Sequence, residues 1–117
     1  MVVFNFERLK TYQKSIKIAV ALIKKAKNFP IKFSRIRDQL IGAVISAPLN
    51  IAEGTGRITN KDKINFYKNS RASLFETMAV LEICQKLNLI SKREFQYYRN
   101  RLIELVKMIS GLIKSKN

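Results

Sequence analysis

The sequence predicts an all-α protein, folded as an antiparallel up-down-up-down four-helix bundle. Apolar residues recur at three- and four-residue spacing through four stretches, and nowhere do they alternate with period two. Stop and start signals at Phe29-Pro30, at Gly54 and Gly56, and at the Ser91 capping box cut the chain into segments of roughly 20 residues, each about 30 Å long as a helix. The connections are too short for a linker or a second domain, so residues 1–117 read as one domain.

The first helix is predicted from an Asn5 N-cap to about Asn28. Leu9, Tyr12, Ile16, Ala19, Val20 and Ile23 make its apolar stripe, with Lys10, Lys14, Lys17 and Lys24 opposite. Ile18 and Leu22 lie off that stripe. Phe29 precedes Pro30 and so avoids helical geometry, which ends the helix.

The second helix, capped by Ser34, carries two apolar faces where a surface helix needs one. Ile36, Leu40, Ala43, Val44, Ala47 and Ile51 form the first, and Ile41, Ile45, Leu49 and Ala52 the second. A polar ladder of Gln39, Gly42, Ser46, Asn50 and Glu53 runs between them. The segment is therefore expected to be central, covered on one side by its own bundle and on the other by a second copy. Ile18, Leu22, Ile41, Ile45 and Leu49 are the expected subunit contacts. Pro48 removes a backbone bond to Val44, so either the helix kinks there or Ser46 caps a new segment.

Thr59 with Asp62 opens the third helix as a variant capping box. Phe66, Ser70, Ser73, Leu74, Thr77, Leu81 and Cys84 form its inner stripe, to about Leu87. Ser91 and Glu94 form a full capping box for the fourth, with Ile90 and Phe95 as a hydrophobic staple. Phe95, Tyr98, Leu102, Leu105, Val106, Ile109, Leu112 and Ile113 carry that helix to about Ser115, and Tyr97 lies off its stripe.

Composition narrows the function. The formal charge is +15, from 23 Lys and Arg against 8 acids, which favours anionic partners, nucleic acid first. The alternative is a lysine-rich solubilising surface. With no histidine, a zinc site of the usual kind, a His general base and every His-containing triad are excluded. The single cysteine, Cys84, excludes an intrachain disulfide and reads as a small core residue. No acids pair convincingly for catalysis, and Gly54 and Gly56 lack the strand and Gly-Lys-Ser/Thr ending of a phosphate loop. MVVFNFERLK lacks the layout of a signal peptide and no apolar run is long enough to span a membrane, so a cytoplasmic protein is expected.

A family resemblance rests on particular residues: Phe6, Leu9, Tyr12 and Gln13; Phe29-Pro30; Gln39-Leu40, Ala43, Ser46 and Pro48; Asn50-Ile51-Ala52-Glu53-Gly54 with Gly56-Arg57; then Phe66, Ser73 and Glu76. On these the chain resembles the four-helix-bundle proteins encoded within intervening sequences of bacterial 23S ribosomal RNA genes. That family includes relatives of the accessory variability determinant of diversity-generating retroelements. Ala47 replaces a usual isoleucine, and Ala72 a usual glycine. The resemblance implies a homopentameric ring with no established enzymatic activity and no cofactor. In the retroelement branch it implies a basic accessory that binds nucleic acid and a reverse transcriptase.

Two groups of residues carry the functional expectation. Gln39, Ser46, Asn50, Glu53 and Arg57 are expected to form a polar network that fixes helix register or a subunit contact, with Arg57 or the start of the third helix compensating Glu53 at its helix C-terminus. From Arg8 through Arg37 there are ten basic residues and no acid. Lys10, Lys14, Lys17 and Lys24, with Lys25 and Lys27 beside them, are the expected phosphate-binding surface, mainly through backbone electrostatics. The expected function is a non-enzymatic accessory binding RNA or DNA, and the alternative is an interaction scaffold without direct nucleic-acid binding.

Overall fold

The computed structural model describes residues 4–117. Met1–Val3, the start of the stretch read above for a leader and of the single predicted domain, lie outside the described residues. Four α-helices follow in order: α1 Lys10–Ala26, α2 Ser34–Thr55, α3 Asn60–Lys86 and α4 Lys92–Ser115. Among the described residues there is no strand. Helices adjacent in sequence pack together, and α4 returns to α1 to close the bundle. The α2–α3 seam is the most extensive contact and α1–α4 the slightest. Cross-helix pairs run antiparallel on both of those seams: Ser70 with Ala47 and Ser73 with Ser46, then Lys14 with Glu104 and Lys25 with Glu94.

The chain enters differently from the sequence expectation. Asn5 does not cap α1; Asn5–Arg8 form a 3-10 turn, and the Glu7 carboxylate accepts from the Phe4 amide at 3.0 Å. Leu9 is extended (φ −75°, ψ 125°), and α1 begins after it. The buried face of α1 is Thr11, Ser15, Ile18, Ala19, Leu22 and Ala26, about one residue step (~100°) round from the expected stripe. Ile16 and Val20, expected inside, are exposed. Ile18 and Leu22, expected at a subunit contact, retain 5% and 0% of their accessible surface, so they are core residues and cannot face a second copy. Four of the six side chains on the buried face, Thr11, Ser15, Ala19 and Ala26, are small. Burying the Ser15 hydroxyl is tolerated because it donates to the Tyr12 carbonyl at 2.7 Å.

Along α2 the first apolar face is core as expected: Leu40, Ala43, Val44, Ala47 and Ile51 are buried. The helix runs unbroken through Pro48, so no new segment starts at Ser46. Ser34 lies inside the first turn, and no side chain caps that end. Across the seam the Ser70 hydroxyl donates to the Ala47 carbonyl at 2.8 Å, bracing the helix beside the proline. Gly56 is the C-cap that ends α2, as expected, but Gly54 does not stop the helix: it is helical and buried, with no room for a side chain against Phe66 and Tyr67.

Thr59 caps α3, its hydroxyl accepting from the Asp62 amide at 3.1 Å. Ser91 and Glu94 close a full box at α4, with bonds of 3.0 and 2.9 Å. The end of α3 is a Schellman turn: Asn88 sits at φ 60°, the Leu89 amide donates to Cys84 and the Asn88 amide to Gln85.

Candidate nucleic-acid interface

Lys14, Lys17 and Lys25 of α1 lie beside α4. Lys14 bonds Glu104, and Lys25 reaches Glu94 at 2.7 Å. Lys10, Lys17, Lys24 and Lys27 have no carboxylate within salt-bridge distance among the described residues. Both acidic partners respond to these lysines. The hydrogen bond from Lys25, then that from the Ser91 amide, holds the Glu94 carboxyl below its usual range. The hydrogen bond from Lys14 does the same to Glu104. Lys24 and Lys25 also occupy the last turn of α1, where the helix dipole favours cations.

Between them α1 and α4 leave a groove of about 370 Å³. Lys14, Lys17, Arg101 and Glu104 supply its charges, Ile18, Ala21 and Leu105 its floor, and Tyr97 an aromatic wall. Tyr97 is 54% exposed, with the Arg101 guanidinium 5.1 Å from its ring centre and buried Tyr98 edge-on at 5.7 Å. This Tyr97–Arg101 pair goes beyond the phosphate electrostatics expected from the sequence. The four-residue spacing of Tyr97 and Arg101 was the available signal, since such residues share a helix face.

The polar ladder divides into three pieces. Asn50 donates to the Ser46 carbonyl and hydroxyl, at 2.8 and 3.0 Å, and Ser73 of α3 donates to the same hydroxyl at 2.7 Å. Gln39 instead donates to Glu76 of α3. Arg57 bonds Glu53 at 3.0 Å and lies over the Phe66 ring, while Lys63 donates to the Thr55 carbonyl at the helix end. Only the Ser46–Asn50–Ser73 piece is shielded from solvent; Gln39, Glu53 and Arg57 are exposed.

Of the second apolar face of α2, Ile41 and Ile45 are half-buried, and Ile41 packs against the protomer's own core. Leu49 remains 62% exposed. Sequence reasoning missed a longer exposed line along α3 and its C-cap: Phe75, Ala79, Ile83 and Leu87, four residues apart. Its four-residue period was legible, but the hydroxyl-bearing inner stripe beside it drew the helix assignment. Cys84 is fully buried, and burial pushes its thiol up to about 11, so it is no nucleophile at neutral pH. No helix among the described residues is long and apolar enough to cross a membrane.

A family model described as 23S rRNA-intervening sequence protein matches residues 7–111. The chain belongs to that family. The matched span takes in α1, α2, α3 and most of α4. Among solved structures the chain is similar to a protein of unknown function from the S23 ribosomal protein family of Bacteroides thetaiotaomicron. The TM-score is 0.80 at 21% identity, covering 89% of this chain and 98% of that one. That likeness concerns the fold. A search of curated proteins returns no match.

Proposed function

We propose that this protein is a non-enzymatic basic accessory that associates with itself and binds RNA or DNA mainly through phosphate electrostatics. One observation carries the reading: ten basic residues and no acid lie between Arg8 and Arg37, and α4 neutralises only Lys14 and Lys25 of the α1 set. Lys10, Lys17, Lys24 and Lys27 are left to meet phosphates. A reverse-transcriptase accessory in a diversity-generating retroelement is one role of this kind, and the charge suits a protein that must handle an RNA template. The exposed Leu49 and the Phe75–Leu87 line support self-association, since solvent-facing apolar side chains at this density mark contact surfaces.

Fluorescence anisotropy with a labelled duplex tests the binding reading. The logarithm of the affinity should fall linearly with the logarithm of salt concentration, by about 0.9 per phosphate contacted. Salt-independent binding, or none at low salt, contradicts it. The α3 line also favours a second reading, a scaffold for a protein partner. Pull-down before and after nuclease treatment separates the two, because a partner retained without nucleic acid belongs to the scaffold.

A further inference from the structure

We propose that the α1–α4 groove seats an unpaired base, so that the protein prefers single-stranded nucleic acid to duplex. The inference rests on the phosphate-binding reading and adds to it. A surface that only meets phosphates needs cations and nothing else. This groove has three cations against one carboxylate, but also an apolar floor of Ile18, Ala21 and Leu105 and an exposed aromatic ring. Tyr97 and Arg101 present a planar cation over an aromatic ring, the kind of surface on which a base stacks irrespective of its sequence. Bases in a duplex are already stacked on each other and do not reach such a surface. Lys17 borders the groove and continues into the α1 stripe, so the phosphates flanking a seated base meet Lys10, Lys17 and Lys24. The strand, rather than a free nucleotide, is thus the ligand that uses both features.

Glu104 gives the site a built-in competitor. Its carboxylate holds Lys14, and an incoming phosphate must displace it. Removing the Glu104 charge therefore tightens 12-mer binding more than duplex binding, whereas a change of bulk charge alone would shift both alike.

The test compares a uridine 12-mer, a duplex of equal phosphate number and adenosine monophosphate, by anisotropy or competition at fixed salt. The wild-type chain is expected to bind the 12-mer more tightly than the duplex. Tyr97→Ala should weaken 12-mer binding about tenfold, leave duplex binding unchanged and so abolish the preference. Tyr97→Phe, which keeps the ring, should restore it. Glu104→Gln should tighten the 12-mer about twofold to fivefold. Equal loss on both nucleic acids in Tyr97→Ala, no loss on either, or monophosphate binding as tight as the 12-mer overturns the inference while the phosphate reading stands. Absence of binding to both nucleic acids overturns the two together.

Discussion

Two glycines of α2 should respond to the same substitution with opposite signs. Gly54 is buried in the α2–α3 seam, and a Cβ there would lie 2.9 Å from the Phe66 Cβ and 3.0 and 3.1 Å from the Tyr67 ring. The Phe66 Cβ is fixed to the α3 backbone, so the helices must part to admit the methyl group. Overpacking of this kind costs about 1–3 kcal/mol, and this overlap belongs at the upper end. Parting the seam also stretches the Thr55–Tyr67 and Ser70–Ala47 hydrogen bonds, now 2.9 and 2.8 Å. Alanine's better helix propensity returns about 1 kcal/mol, leaving Gly54→Ala less stable by about 2 kcal/mol. Gly42 lies on the exposed side of the same helix, and a Cβ there meets nothing within 4 Å. Gly42→Ala should gain about 1 kcal/mol from propensity alone. The two variants then differ by about 3 kcal/mol, or roughly 1.5 M in urea midpoint at a slope near 2 kcal/mol/M. Urea melts at one protein concentration keep any self-association constant across the comparison. If both midpoints rise together, the close approach at Gly54 does not exist in solution.

Other substitutions and conditions probe the remaining contacts. Asn88→Ala places an alanine at φ 60° and should destabilise by about 1 kcal/mol in the same melts, with Asn88→Gly at or above wild type. Phe75→Glu puts a charge on a side chain that is 60% exposed, so it should reduce the mass seen by light scattering without loss of helical circular dichroism. A wild-type mass equal to one chain at micromolar concentration would remove the self-association proposal. Acid should weaken the fold through Glu94. Its folded pKa lies below the ordinary 4.5, so the unfolded chain binds its proton more tightly. The stabilisation is present above 4.5 and is lost as pH falls through the folded value. Lys25→Gln should flatten that part of the stability–pH curve, and an unchanged curve would detach Glu94 from Lys25.

Much of this architecture was legible because large apolar residues and capping chemistry agree. Thr59 and Ser91 fix the starts of α3 and α4, and the Leu40–Ile51 face of α2 is buried as its period requires. On α1 the same logic misleads. Large Ile16 and Val20 outweigh Thr11 and Ser15 in any periodicity count, yet small residues permit the closer helix approach, and their hydroxyls can satisfy themselves on the helix backbone. That choice of face moved Ile18 and Leu22 from interface to core. The polar ladder looked continuous because Gln39, Ser46 and Asn50 share a helix face, but their partners are set by what α3 presents at each level: Glu76 at one end and Ser73 in the middle. The α1–α4 groove is lined by two segments distant in sequence, which no local pattern encodes.

The role of the lysine stripe is best separated from bulk charge by two variants of equal net charge. Lys10, Lys17 and Lys24 on α1 are changed to Gln in one, and Lys61, Lys68 and Lys86 on α3 in the other, each lowering the net charge from +15 to +12. Duplex affinity is measured across a salt series for both. The α1 variant should bind more weakly with a shallower slope, reduced by up to about 0.9 for each phosphate contact removed, while the α3 variant stays near wild type. Equal slopes in the two variants would contradict the assignment of phosphate binding to α1.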